Sequence, residues 1–230
     1  MGTALNGSPA DQVAIVTGGS RGVGRAAIRL LAAGGYAVVV NYLHDQRAAE
    51  STVEAVLAGN GNAVAVRADI ADDLDVDRLF AETIAAFGGI DVVVHAAGSR
   101  VATSAVTKAG LDEFDALLRI NTRATFVVNR EAARHLRNGG AIVNLTSPAD
   151  SLALTAYGLY AATKAVTDVL TRALAVELRE RDITVNAVAV EAGRPCAPDR
   201  VADVIAYLLS EHGHGLTGHV LRVGDRGLRP

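Results

Sequence analysis

Short runs of Val, Ile and Ala alternate along the chain with longer stretches in which apolar residues recur every three or four positions. The short runs are continuously apolar, as strands covered on both faces must be, while the longer ones carry the period of helices with one buried side. Seven strands are predicted, at about Val13–Thr17, Ala37–Tyr42, Ala63–Arg67, Val92–His95, Ala141–Thr146, Thr184–Val190 and Val220–Val223. The stretches between them predict helices over about Gly24–Ala33, Arg47–Ala58, Leu74–Phe87, Leu111–Arg137, Tyr160–Glu180 and Asp199–Ser210, the fourth bent near Asn121. The first helix stops at Gly34-Gly35, because glycine readily takes the left-handed backbone that closes a helix. Regular β–α alternation specifies an α/β fold with a doubly wound, seven-stranded parallel sheet and helices on both faces.

Composition narrows the field. The chain has 230 residues, half of them apolar, enough to bury the core of one domain, expected over 11–230 with residues 1–10 as a flexible N-terminal tail. The net charge of −3 is spread along the chain, so no basic footprint for nucleic acid or an anionic membrane is present, and small molecules are the expected partners. Cys196 is the only cysteine, which excludes an intramolecular disulfide and fits a reducing cytoplasm. No apolar run approaches the roughly 18 residues that span a bilayer.

The first chemical signal is Thr17-Gly-Gly-Ser-Arg-Gly-Val-Gly24, at the junction of the first strand and first helix. Gly18, Gly22 and Gly24 permit a tight turn, bring backbone N–H groups to a pyrophosphate and let the helix pack close to the strand, while the helix N-terminus attracts negative charge. Ser20, Arg21 and Val23 complete this expected dinucleotide cradle, and the fold becomes one of Rossmann type. At the end of the second strand an acid would bind a ribose 2′-hydroxyl and repel a 2′-phosphate. The chain has no acid there until Asp45, whereas Arg21 and His44 could meet a phosphate. Arginine suits that task because its planar fork stays charged and bonds two oxygens. NADP(H) is therefore favoured and NAD(H) stays possible, the alternative for Arg21 being a solvated loop charge.

The second signal is Tyr160-Ala-Ala-Thr-Lys164. Tyrosine, with an ordinary pKa near 10, is a poor acid at neutral pH, and an ammonium one helical turn away favours its phenolate. Lys164 also stands out because the chain has only one other lysine, Lys108. Ser147 lies thirteen residues before Tyr160, at the end of the fifth strand, and Asn121 lies in Arg119-Ile-Asn-Thr122. Taken with the glycine turn, this set resembles the short-chain dehydrogenase/reductase family from about Val13 to Val188. The resemblance implies hydride transfer between a nicotinamide dinucleotide and a carbonyl or secondary alcohol, in a homodimer or homotetramer. It gives Tyr160 the proton, Lys164 the tuning of Tyr160 and the nicotinamide ribose, Ser147 the carbonyl, and Asn121 a water linking Lys164 to solvent. It also implies adenine contacts from Asp69 and Ile70, and close approach of the cofactor to His95, Ala96 and Gly98, where the family usually has Asn-Ala-Ala-Gly.

Other clusters carry less. Glu211, His212, His214 and His219 sit in a glycine-rich stretch, and no metal site is expected. Asp72, Asp73, Asp75 and Asp77 straddle a helix start, where acids suit the dipole. The family's long substrate-closing segment is reduced here to Val190-Glu-Ala-Gly-Arg-Pro-Cys-Ala-Pro198 before the next helix. An open site suited to a bulky ketone is the expectation. NAD-dependent alcohol oxidation on the same residues, and a non-redox cyclase, dehydratase or dinucleotide sensor, are the alternatives.

Overall fold

The computed structural model describes residues 12–98, 105–147, 157–190 and 196–224, with the backbone of 227–229. The expected tail at residues 1–10 lies outside the described residues. In chain order the elements are β1 (Val13–Thr17), α1 (Gly22–Ala33), β2 (Ala37–Tyr42), α2 (Gln46–Ala58), β3 (Ala63–Arg67), α3 (Asp73–Phe87) and β4 (Ile90–His95). There follow α4 (Leu111–Leu117), a π-helical turn (Leu118–Arg123), α5 (Ala124–His135), β5 (Leu136–Thr146), α6 (Gly158–Glu177), β6 (Thr184–Val190), α7 (Pro198–Leu208), β7 (Val220–Gly224) and β8 (Gly227–Arg229).

The strands form one sheet in the order β3-β2-β1-β4-β5-β6-β7-β8. β1 to β7 are parallel, as their apolar runs predict, and the short β8 adds an antiparallel edge on β7 that the sequence pattern did not announce. Neighbouring strand residues go to opposite faces, so Val16, Val38, Val92 and Val143 pack under α1 and α7 while Ile15, Val39, Val93 and Ile142 pack under α3, α5 and α6. Each such side chain, fully buried, contributes about 1.5–3 kcal/mol, which is why the runs must be apolar at every position. The strand order reverses between β1 and β4, and in such sheets the crevice at that reversal, beyond the carboxyl ends of the strands, is where ligands bind.

Helix ends follow local chemistry. Asp72 caps α3 by accepting from Asp75 N, and Gly88, at φ 81°, closes it. The acid cluster noted in the sequence is thus a helix start. The long fourth helix is interrupted where a bend was expected: six residues centred on Asn121 widen into a π-helical turn, a feature often found at functional sites. β5 begins at Leu136, earlier than predicted, entering through a register shift opposite Ile90 and Val92. There Gly139 has φ 79°, and a Cβ on Gly140 would stand 2.6 Å from the Asp91 carbonyl oxygen.

Candidate active site

The turn after β1 requires its glycines for different reasons. Gly18 and Gly22 have φ of 65° and 53°, a region L side chains avoid. A Cβ on Gly24 would lie 2.3 Å from the Gly18 carbonyl oxygen, so α1 can pack against the turn only with glycine at that position. α1 has no side-chain cap and no acid in its first turn, which leaves its first N–H groups and the positive end of its dipole facing the turn. That is the geometry a pyrophosphate needs, and the residues present fit a dinucleotide. Ser20 is buried, Val23 half-buried, and Arg21 exposed at the helix start.

At the end of β2, His44 is exposed, and Asp45 is occupied as the N-cap of α2, accepting from Ala48 N at 3.0 Å. The first acid after β2 is thereby turned toward a helix. Asp69, beyond β3, accepts from Ala71 N at 3.0 Å and from Arg119 at 2.7 Å. Partial burial pushes its carboxyl up, but the Arg119 and Ala71 hydrogen bonds outweigh this and hold it below the ordinary range. Ile70 beside it is buried.

The reacting groups converge from three elements. Ser147, just past β5, and Tyr160, in the first turn of α6, bring their hydroxyl oxygens to 3.3 Å, and Ser147 also donates to the Val190 carbonyl at 3.0 Å. Lys164 is 4% exposed, and its ammonium donates to the Leu145 carbonyl at 3.1 Å. Burial lowers its pKa to about 8, against the pull of the Asp168 carboxylate one turn further on. Asn121, wholly buried in the π-helical turn, donates to the Thr163 hydroxyl at 3.1 Å, which in turn donates to the Tyr160 carbonyl at 2.9 Å. Gly98 closes the group: a Cβ there would be 3.0 Å from Lys164 Nζ and 3.1 Å from Asn121 Oδ1.

All four residues of the expected set therefore lie in one place, with Gly98 and the half-buried Ala96 beside them. His95 departs from expectation. Its ring is wholly buried, with Nδ1 2.9 Å from the Thr17 hydroxyl and Nε2 3.2 Å from that of Thr125, so the side chain faces the protein interior and not a cofactor groove. Sequence reasoning also missed Thr163. A readable signal existed, since Thr163, Thr167 and Thr171 recur every four residues along one face of α6, all of them buried. Among the described residues no group of His, Cys, Asp and Glu could hold a metal, and no helix is long and apolar enough to cross a membrane. A surface hollow of about 630 Å³ lies between α3 and α5, lined by Ala81, Ile84 and Glu131 among others, and includes none of the residues above.

The family described as Enoyl-(Acyl carrier protein) reductase matches residues 18–193. Versicolorin reductase 1 of Aspergillus parasiticus is 39% identical over 77% of this chain and 68% of its own. A hydroxynaphthalene reductase-like protein of Metarhizium majus is 40% identical over 79% of this chain and 68% of its own. Among solved structures, a short-chain dehydrogenase from Burkholderia cenocepacia in complex with NADP superposes with a TM-score of 0.88 at 33% identity, covering 94% of this chain and 97% of that one.

Proposed function

The chain belongs to the short-chain dehydrogenase/reductase family and is an NAD(P)-dependent enzyme of it, and from that premise we propose that it reduces the carbonyl of a bulky, multi-ring compound with NADPH. The observation that carries this reading is the convergence of the Ser147 and Tyr160 hydroxyls, 3.3 Å apart, with a buried Lys164 one helical turn beyond Tyr160 on α6. A carbonyl oxygen lying between the two hydroxyls accepts from both, and the charge that develops on it is met by preorganised donors. Bound NADPH supplies the hydride to the carbonyl carbon. Tyr160 gives its proton to the oxygen, and Lys164 stabilises the phenolate left behind and holds the nicotinamide ribose. Ser147, whose single proton goes to the Val190 carbonyl in the free protein, turns that proton to the substrate oxygen to polarise it, and Asn121 holds a water beside Lys164 from which the proton is replaced.

Gly18, Ser20, Gly22, Val23 and Gly24 cradle the pyrophosphate, and Asp69 and Ile70 border the adenine. Arg21, which is exposed and makes no ion pair with the described residues, and His44 meet the 2′-phosphate. The choice of substrate draws on the two relatives named as reductases of versicolorin and hydroxynaphthalene, both multi-ring compounds. We further infer a single domain that works in the cytoplasm as a homodimer or homotetramer. Phe126 on α5 and Val169 and Val176 on α6 are 49%, 65% and 65% exposed, an apolar cost that a second copy would remove. The test is a cofactor and substrate matrix with purified protein. Consumption of NADPH with a multi-ring ketone supports the reading, while activity confined to NADH, or none with any carbonyl, overturns it.

A further inference from the structure

We propose that His95 is a positioning residue which, as the neutral Nε2–H tautomer, couples the turn that opens the dinucleotide site to the π-helical turn that carries Asn121. The hydrogen bonds fix the tautomer. Thr125 donates its one hydroxyl proton to the Asn121 carbonyl at 2.5 Å, so the same oxygen, 3.2 Å from His95 Nε2, can only accept from the ring. Burial of the ring, with the Lys164 ammonium adding to it, pushes the His95 pKa down to about 3, so only one ring nitrogen carries a proton. Nδ1 is therefore an acceptor, and the Thr17 hydroxyl 2.9 Å away donates to it. That leaves the Thr17 oxygen to accept Ala97 N–H at 3.2 Å. The result is a directed chain from Ala97 N–H through Thr17, His95 and Thr125 to the Asn121 carbonyl.

Both ends of this chain touch the site. Thr17 is the last residue of β1, and Gly18 after it packs so closely that a Cβ would lie 3.0 Å from Ala97 Cα. The other end holds the backbone of Asn121, whose side chain and Lys164 Nζ border Gly98. The imidazole thus ties the level of the glycine turn on β1 to the level of the Asn121 turn across β4. Protonation would place two donors where one acceptor is needed and would add a second buried cation near Lys164.

Two measurements on the full chain test this, and neither uses a carbonyl substrate, so an error about the substrate leaves the test intact. In ¹⁵N NMR of the imidazole, Nε2 should carry the proton and the ring should not titrate between about pH 5 and 9. A proton on Nδ1, or a titration in that range, overturns the proposal. In NADPH binding, Thr125→Val, which lies outside the cofactor turn, should raise Kd by about threefold or more in the wild-type background and leave it unchanged in His95→Leu. His95→Asn, whose amide keeps one donor and one acceptor, should restore part of that dependence. Equal effects of Thr125→Val with and without the imidazole refute the coupling, and if His95→Leu fails to fold the NMR arm decides alone.

Discussion

Tyr160 and Lys164 lie one turn apart on α6, and each has a contact that a different substitution isolates. Tyr160→Phe removes only the hydroxyl, so turnover should fall by at least about a thousandfold while NADPH Kd stays within a few-fold. A variant that keeps most of its kcat would take the proton transfer away from Tyr160. Lys164→Ala should damage rate and cofactor affinity together, because the proposed mechanism gives the same ammonium both the phenolate and the ribose, and an unchanged Kd would remove the ribose role. Lys164 also sets a pH limit. Its charge is present below the folded pKa of about 8 and is lost as pH rises through that value, roughly two units earlier than for an exposed lysine. The kcat/KM for reduction should therefore be level toward neutral pH and fall above about 8. Asp168 opposes the burial that lowers Lys164, so Asp168→Asn should move this limb to lower pH. A profile that stays flat to about pH 10 in the wild type, or does not move in Asp168→Asn, would count against the buried ammonium as the controlling group.

The β1-to-α1 turn is the element proposed to bind the phosphates, and it offers the uncapped N–H groups of α1 with one side-chain cation, Arg21, at its edge. Arg21 has no side-chain partner among the described residues to hold it elsewhere, so Arg21→Ala should raise Kd for NADPH by about tenfold or more, the worth of a charge-assisted hydrogen bond of roughly 1.5–3 kcal/mol. NADH, lacking the 2′-phosphate, should bind almost as before, and equal losses for both cofactors would mean that Arg21 merely holds the turn. Gly24→Ala should abolish binding of both dinucleotides, since its Cβ has nowhere to go but into the Gly18 carbonyl. These features were legible in the sequence because they are local: a glycine where φ must be positive, or two side chains four positions apart on one helix, are set by neighbours along the chain. The buried path through His95 was not legible, because Thr17, His95 and Thr125 come together only when β1, β4 and α5 pack. The bend at Asn121 could be expected from the chemistry that must reach inward, but its π-helical form depends on how α4 and α5 seat against α6. β8 escaped notice because three residues with one apolar side chain, Leu228, make no pattern, and its strand character comes from pairing with β7.

At the scale of the whole molecule, the sheet delivers both halves of the chemistry to one edge. Every parallel strand ends at the same rim, so the turn after β1, the Ala96–Gly98 segment after β4 and Ser147 after β5 are brought side by side although distant in sequence. Only residues 191–197 separate the end of β6 from the start of α7 in the sequence. Seven residues span at most about 25 Å when extended, and a strap that must go out and return reaches roughly half of that. On the proposed reading a connection of that length does not close over the nicotinamide, and closure normally expels water and strengthens the electrostatic help given to the transition state. A substrate with several fused rings can displace that water itself, and its remote contacts provide binding energy that orients the carbonyl between Ser147 and Tyr160. A two- or three-carbon ketone has neither resource. We therefore expect kcat/KM to climb with the apolar area of the ketone, by about tenfold for each 1.4 kcal/mol of added transition-state binding. Most of the gain should appear in kcat if the rings act by excluding water, and in KM if they add only uniform binding. A panel running from acetone to ketones of three and four rings distinguishes these cases, and a kcat/KM that peaks at the smallest member would rule out substrate-driven closure.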